Sequence, residues 1–326
     1  MTTDHRTLGG TGIRVSDLCL GTMTFGTAWG WGADEPTCRK MYEAFREAGG
    51  NYVDTANKYT NGESEEIVGR LIASERDDVV VATKFTLPAS DDANSGGSHR
   101  KSLRRNLETS LRRLGTDHVD LLFVHAWDQR TRGDETLRAL DDLVRAGTVL
   151  AIGVSNTPAW VVAHRNAVAE LRGWTSFAAM QIEYSVARRT PDREVLPMAK
   201  ALGLSVAAWS PLSRGLLAGK PRPEGAPPLQ PLDQAAVDAC AAVAFEQGVS
   251  SARVALAWVL HHGLTPVLGA SSVEQLTDNL GAADLELGSD QIRRLDEAGA
   301  VELGYPHDFV SAFYPMLTAG IEGVQV

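Results

Sequence analysis

Short apolar runs recur along the chain, and each ends in a residue able to do chemistry or hold a ligand. NYVD (51–54) closes on Asp54, with Tyr59 five positions later; VVVAT (79–83) leads to Lys84 and VDLLFV (119–124) to His125. VLAIGV (149–154) leads to Ser155 and Asn156, FAAM (177–180) to Gln181, LSVAA (204–208) to Trp209, and PVL (266–268) to Gly269 and Ser271. Between these runs the apolar spacing changes to a helical period, predicting helices near 35–48, 64–75, 100–114, 134–146, 158–171, 192–202 and 272–281. The first of these carries Pro36 in its opening turn, sets Cys38, Met41, Phe45 and Ala48 on one face, and stops at Gly49-Gly50.

Strands that alternate with helices pair in parallel through crossovers. The predicted strands are 17–21, 51–54, 79–84, 119–125, 149–154, 177–182, 204–209 and 266–269, a count of eight that fits a closed (β/α)8 TIM barrel. In that fold the carboxyl ends of the strands share one rim, where catalytic groups gather. A hairpin at 7–16, turning on GGTG, precedes the first barrel strand. A Gly/Pro-rich loop at 212–232 follows the seventh strand, and helical patterns at 233–247 and 250–261 precede the eighth, so one helix is an addition. The tail from about 300, VELGYPHDFVSAFYPM, reads as aromatic and irregular, placed to fold back over the rim. The expected organisation is one barrel domain over 1–326 with a terminal hairpin, extra helices and long rim loops.

Composition narrows the function classes. With 44% hydrophobic residues the chain has ample core material, and a formal charge of −10 argues against nucleic-acid or anionic-membrane partners, which attract basic surfaces. One basic stretch, HRKSLRRNLETSLRR (99–113), opposes that balance; its Leu103, Leu107, Leu111 and Leu114 share a face, so the arginines read as a solvated outer face. Cys19, Cys38 and Cys240 form no CxxC pattern, which fits a reducing compartment. The start, MTTDHRTLGG, lacks signal architecture, and no apolar run reaches the ~20 residues of a membrane span. A cytoplasmic location is therefore expected; the oligomeric state is not legible.

Asp54, Tyr59, Lys84 and His125 carry the candidate chemistry. Singly each has an ordinary explanation: a turn or cap for Asp54, a loop aromatic for Tyr59, a surface charge for Lys84, a hydrogen-bonded core histidine for His125. A lysine that closes a buried run, however, needs a carboxylate nearby, and Asp54 ends the neighbouring strand. An ammonium beside Tyr59 would favour its phenolate and lower its pKa from an ordinary value of about 10, making it a general acid. His125 would bond and orient the same substrate oxygen. Side chains cannot donate hydride, so a reduction would need a cofactor. GGTGIRV (9–15) resembles the start of a dinucleotide fingerprint, but Val15 holds the third glycine position and no strand precedes it. His261-His262 has no partner at metal-ligand spacing and reads as a helix end; no metal site is expected. Trp29, Trp31, Trp127 and the aromatic tail are placed to line a pocket suited to aryl or medium aliphatic aldehydes.

GGNYVDTANKY, VVVATKF, DLLFVHAWD, GVSN, QIEY, AWSPLSRGLL, GASSVEQLTDN and the opening LGTMTFG resemble, in order, the motifs of the aldo-keto reductases over about residues 8–299. The texture is closest to bacterial and fungal members similar to aryl-alcohol dehydrogenases, with a weaker likeness to potassium-channel β subunits. The resemblance implies a barrel that binds NADP(H) in an extended pose, with Asp54, Tyr59, Lys84 and His125 as the catalytic set. It implies that Ser155, Asn156 and Gln181 bond the nicotinamide carboxamide and that Trp209 stacks on its ring, although Trp209 also fits a core role. Gly21, Thr22 and Met23, with Asp54, would line the nicotinamide-ribose region; Ser210, Leu212, Gly215 and Lys220 would flank the pyrophosphate. Gly269, Ser271, Ser272, Gln275, Asp278 and Asn279 would hold the adenosine end, though Ser271 could merely cap the following helix. Many relatives carry a Lys or Arg within the stretch that here reads GASSVEQ. A helix amino terminus, serine hydroxyls, and Lys220 or Arg222 could substitute, so NADP(H) is expected, with NAD(H) possible.

Two other classes compete. A Schiff-base aldolase could use Lys84 as its nucleophile but would not require GVSN, QIEY or AWSP. A cofactor-sensing subunit would bind NADPH without turning over a small carbonyl substrate.

Overall fold

The structure, a computed structural model, describes residues 3–220 and 227–317. Strands β1 (His5–Thr7) and β2 (Arg14–Ser16) form the expected antiparallel hairpin. Eight parallel strands follow: β3 (Cys19–Gly21), β4 (Tyr52–Asp54), β5 (Val80–Phe85), β6 (Val119–Val124), β7 (Val149–Ser155), β8 (Ala179–Glu183), β9 (Ser205–Trp209) and β10 (Thr265–Leu268). They close into a barrel, with β10 pairing β3.

Side chains alternate between the two faces of each strand. One set packs inside the barrel: Cys19, Tyr52, Val80, Ala82, Leu121, Phe123, Ala151, Ala179, Ala207 and Val267, with Leu8 and Val15 of the hairpin segment joining them. The other set, including Val53, Val81, Leu122, Ile152 and Met180, packs outward in one cluster with residues of the surrounding helices. Two residues beyond an inward position is inward again. The same alternation that fills the barrel therefore sets Gly21, Asp54, Lys84, His125, Ser155, Gln181, Trp209 and Gly269 on the inner side at the carboxyl rim.

The helices are α1 (Glu35–Glu47), α2 (Glu63–Ile72), α3 (Arg100–Leu114), α4 (Gly133–Arg145), α5 (Ala159–Arg172), α6 (Val195–Ala201), α7 (Pro231–Gln247), α8 (Ser251–His261), α9 (Val273–Leu280), α10 (Ser289–Ala298) and α11 (His307–Leu317). Their ends follow local chemistry. Asp34 caps α1 by accepting from the Thr37 amide, with Pro36 just inside, and Gly115 ends α3 in the left-handed region. Helix α8 packs against β10, whereas α7 packs on α8 and α10, so α7 is the added helix. No helix among the described residues is long and apolar enough to cross a membrane.

The structure corrects three expectations. The tail is not irregular: α11 forms there, with Phe309 and Phe313 one turn apart and His307 bonding Glu194 at 2.9 Å. Helix α10 was not expected, because only Ile292 and Leu295 of its ten residues are buried and the apolar period is faint. The arginines of α3 are not uniformly solvated. Arg100, Arg104 and Arg105 pair with Asp142, Glu108 and Asp92 at the surface, but Arg113 turns in toward the fully buried Glu65. His261 does end α8, and His262 packs on Trp258 and bonds Asp296.

Helices α2 and α3 approach closely at Gly69, where a Cβ would lie 2.6 Å from the Leu114 carbonyl oxygen. Backbone cannot yield as a flexible side chain would. Gly69→Ala is expected to cost about 1–3 kcal/mol despite alanine's better helix propensity, read as a lowered urea midpoint with unchanged m-value.

Candidate active site

Lys84 is the deepest charged group of the rim, with no exposed side-chain surface, and such an ammonium is tolerated only when paired and hydrogen-bonded. Its three donors meet three acceptors: Asp54 Oδ2 at 2.6 Å, the Thr55 carbonyl at 2.8 Å and Tyr59 Oη at 3.0 Å. Asp54 uses its other oxygen to accept from Gln181 Nε2 at 2.9 Å. Burial pulls the Lys84 pKa down most, but Asp54 and Tyr59 outweigh it and hold the group above its ordinary value. Lys84 is thus a fixed cation.

Tyr59 follows β4 on a loop, in a 3-10 turn spanning Tyr59–Gly62. Thr60, Asn61 and Gly62 all adopt positive φ, at 44°, 56° and 101°. This is rare for a β-branched threonine and costs roughly 1–3 kcal/mol at each non-glycine position. Seven described non-glycine residues have positive φ: Thr60, Asn61, Thr86, Asn156, Ser210, Ser213 and Arg214. All lie in loops leaving the carboxyl ends of barrel strands, so the backbone strain is gathered at the rim.

The Tyr59 pKa departs from the sequence expectation. Burial raises it more than the Lys84 ammonium lowers it, and the phenol stands above its ordinary value. The group is thereby kept as a proton donor. His125 follows β6, its ring edge-on to that of Tyr59 at 6.0 Å and 81°. Its Nδ1 is buried without a hydrogen-bond partner among the described residues. Burial and, secondarily, Lys84 push its pKa down to about 3, so the imidazole is neutral.

The next strand ends continue the rim. Ser155 pairs in register with Gln181. Asn156 donates from Nδ2 to the His125 carbonyl at 2.9 Å and accepts from Trp209 Nε1 at 3.2 Å. Gly21 is beside Asp54 in the β3–β4 ladder, Thr22 donates to the Asp54 carbonyl through both its amide and its hydroxyl, and Met23 is exposed. After β9, Ser210, Ser213, Arg214 and Gly215 at positive φ crowd a short loop, a backbone shape that can turn amides toward an anion. Leu212 is half-buried there, and Lys220 lies against Gly215, where a Cβ would meet its Cδ at 2.8 Å. Arg222 lies outside the described residues.

At α9 the structure corrects one detail: Ser272, not Ser271, is the cap, accepting from the Gln275 amide, while Ser271 bonds the Gln275 side chain. Gly269 is exposed beside them. Asp278 and Asn279 are set back: Asp278 is engaged by Arg253 at 2.8 Å and Ser250 at 2.6 Å, and Asn279 is buried. In the neighbouring loop after β3, which bonds the Ala270 carbonyl through Thr24 Oγ1, Trp29 packs on Trp31 at 5.5 Å and donates to Asn61. Trp127 packs edge-on to Trp160 at 5.9 Å. Trp160, 67% exposed, was missed by sequence reading; its place two residues after Pro158, at the start of a helix leaving the rim, was the available sign.

The family profile of the aldo/keto reductases matches residues 17–300. The chain belongs to the aldo/keto reductase family. It is 38% identical to norsolorinic acid reductase of Aspergillus flavus, over 94% of this chain and 84% of that protein. It is 35% identical to an aryl-alcohol dehydrogenase of Pestalotiopsis microspora, over 94% of this chain and 85% of that protein. An uncharacterised oxidoreductase of Bacillus subtilis is 38% identical, over 90% of this chain and 95% of its own. Aldo-keto reductases generally use nicotinamide cofactors, and the rim fits one. The strained loop after β9 with Lys220 suits a pyrophosphate, and the indole of Trp209, steered by Asn156, suits a ring beside His125.

The neutral His125 has a consequence for stability. Its folded pKa, about 3, lies below the ordinary 6.5, so the unfolded chain takes up a proton first as pH falls. The associated stability is fully present above pH 6.5 and is lost progressively down to about pH 3, at up to ~1.4 kcal/mol per pH unit. His125→Gln should therefore flatten the decline in unfolding free energy between neutral pH and about pH 4, measured by denaturant titration of both proteins.

Proposed function

We propose that this aldo-keto reductase is an NADP(H)-dependent enzyme that moves a hydride between nicotinamide and the carbonyl carbon of an aldehyde or ketone. Tyr59 is its general acid and base, assisted by Lys84, Asp54 and His125. The observation that carries the reading is the 3.0 Å contact of Tyr59 Oη with a lysine fixed by Asp54, beside a histidine with an unpartnered ring nitrogen. A reduced nicotinamide, when bound at the rim, would supply the hydride. As the carbonyl carbon gains it, the oxygen takes the Tyr59 proton, and the phenolate left behind is stabilised by the Lys84 ammonium until solvent returns a proton. Neutral His125 bonds the same oxygen and sets its angle. Gln181 keeps one Asp54 oxygen occupied, leaving the other for Lys84. An aldolase using Lys84 is disfavoured: a nucleophilic lysine needs a lowered pKa, and that of Lys84 is raised.

Lys220, the α9 amino terminus with Ser271 and Ser272, and Gln275 support binding of a 2′-phosphate, hence NADPH over NADH. The tryptophan pairs 29/31 and 127/160 support an aryl carbonyl substrate. The named activity of the Aspergillus flavus relative, reduction of norsolorinic acid, and the aryl-alcohol name of the Pestalotiopsis relative lie in the same direction.

The test is NADPH oxidation with a nitrobenzaldehyde. Tyr59→Phe is expected to lose roughly 10²–10⁴ in kcat with NADPH binding retained, and NADH to serve poorly. Tight NADPH binding without turnover of any carbonyl would overturn the reading. Trp160→Ala should raise KM for a naphthaldehyde by about tenfold while leaving propanal unchanged, since aromatic contact is worth about 0.5–1.5 kcal/mol beyond area.

A further inference from the structure

We propose that Arg113, anchored by Glu65, is a positioning residue that holds Tyr59 in its acid geometry. Tyr59 differs from its partners in how it is carried. Asp54 and Lys84 belong to barrel strands, whereas Tyr59 rides on the loop with three consecutive positive-φ residues. Such a loop keeps its shape only if outside contacts over-determine it. Arg113 Nη1 donates to the Asn57 carbonyl at 3.0 Å, and Nη2 reaches the Asn61 carbonyl at 3.4 Å. Those two carbonyls stand two residues before and two residues after Tyr59. At Gly62 a Cβ would lie 2.2 Å from Arg113 Cζ, so glycine there is what lets the guanidinium approach.

The anchor is as specific as the grip. Glu65 has no exposed surface; one carboxylate oxygen accepts from Arg113 Nη1 at 3.0 Å and the other from Thr83 Oγ1 at 2.7 Å. Thr83 precedes Lys84 on β5. One buried carboxylate therefore ties the strand that carries the ammonium to the guanidinium that grips the tyrosine loop. The planar fork of arginine can address Glu65 and both carbonyls together, which a lysine cannot.

The inference rests on the reductase reading, and the experiment separates the two. Arg113→Lys and Arg113→Ala are compared with wild type and with Arg104→Gln, an exposed change on the same helix. Readouts are steady-state nitrobenzaldehyde reduction, NADPH affinity by fluorescence, and the Tyr59 titration from ¹³C-labelled tyrosine, assigned by its loss in Tyr59→Phe. The expected result is a kcat about 100-fold lower in both Arg113 variants, as for an acid misplaced by about 1 Å, with NADPH affinity and Arg104→Gln unchanged. Added guanidinium should restore part of the Arg113→Ala rate, which a general loss of stability would not allow. The Tyr59 midpoint should move by about half a pH unit or more, because its distance to Lys84 and its burial both change. Should Arg113→Ala fail to fold, Arg113→Lys carries the comparison. Unchanged kcat, or a fall in kcat with an unmoved Tyr59 titration and no rescue, overturns the inference. Wild-type protein that binds NADPH but reduces no carbonyl removes the reductase reading. The Tyr59 titration in Arg113→Lys then decides the clamp alone: a moved midpoint upholds it and an unmoved one overturns it.

Discussion

The rim is organised around the cost of keeping one ammonium out of water. Lys84 has no solvent contact, and a charge so placed is retained only where every donor is met. Meeting them fixes three other groups in turn: the Asp54 carboxylate, the Thr55 carbonyl and the Tyr59 hydroxyl. Asp54 then recruits Gln181 from the far side of the barrel, and the β3–β4 ladder sets Gly21 beside Asp54. The electrostatic effect spreads beyond direct contact. The same cation helps keep His125 neutral and offsets part of the burial that holds Tyr59 protonated. A neutral imidazole and a protonated phenol both follow from burial, which the one fixed cation reinforces at His125 and opposes at Tyr59.

The barrel makes such an arrangement affordable elsewhere in the chain. Its interior below the rim is filled by apolar side chains from alanine up to Phe123 and Tyr52, and α2, α3 and their neighbours seal the outer face. The positive-φ residues are placed where that scaffold can hold them. Thr60 Oγ1, for instance, donates to the Phe25 carbonyl and accepts from the Ser64 amide. Strain at a rim loop is then balanced by hydrogen bonds to rigid elements rather than relieved by solvent.

Most of this was legible in the sequence because it follows from period two. Once Tyr52, Val80 and Phe123 are inward, Asp54, Lys84 and His125 must be inward as well, and no tertiary knowledge is needed. What depended on packing was harder to read. The sign of the Tyr59 shift is a contest between burial and charge, and only the amount of burial decides it. Helix α10 buries just Ile292 and Leu295, too little apolar rhythm to stand out. Arg113 lies beside the leucine stripe of α3, where spacing alone cannot distinguish a solvated guanidinium from one turned inward. Glu65 did offer a sign. It shares a helix face with Val68, Gly69 and Ile72, all buried, and a carboxylate on an apolar face requires a cation from another element.

Placing the proposed acid, Tyr59, on a loop while its charge partner Lys84 is on a strand has a chemical logic. A strand end is set by ladder bonds on both sides, which suits groups that must not move: the ammonium and the carboxylate that neutralises it. The proton donor must instead meet an oxygen whose position depends on the substrate, and a loop can be aimed without disturbing the ladder. The cost of that freedom is imprecision, and imprecision of about 1 Å is severe for proton transfer. A loop held at both flanks by one guanidinium, itself fixed by a buried carboxylate bound to the residue before the lysine, would remove that imprecision while keeping the proposed acid outside the ladder.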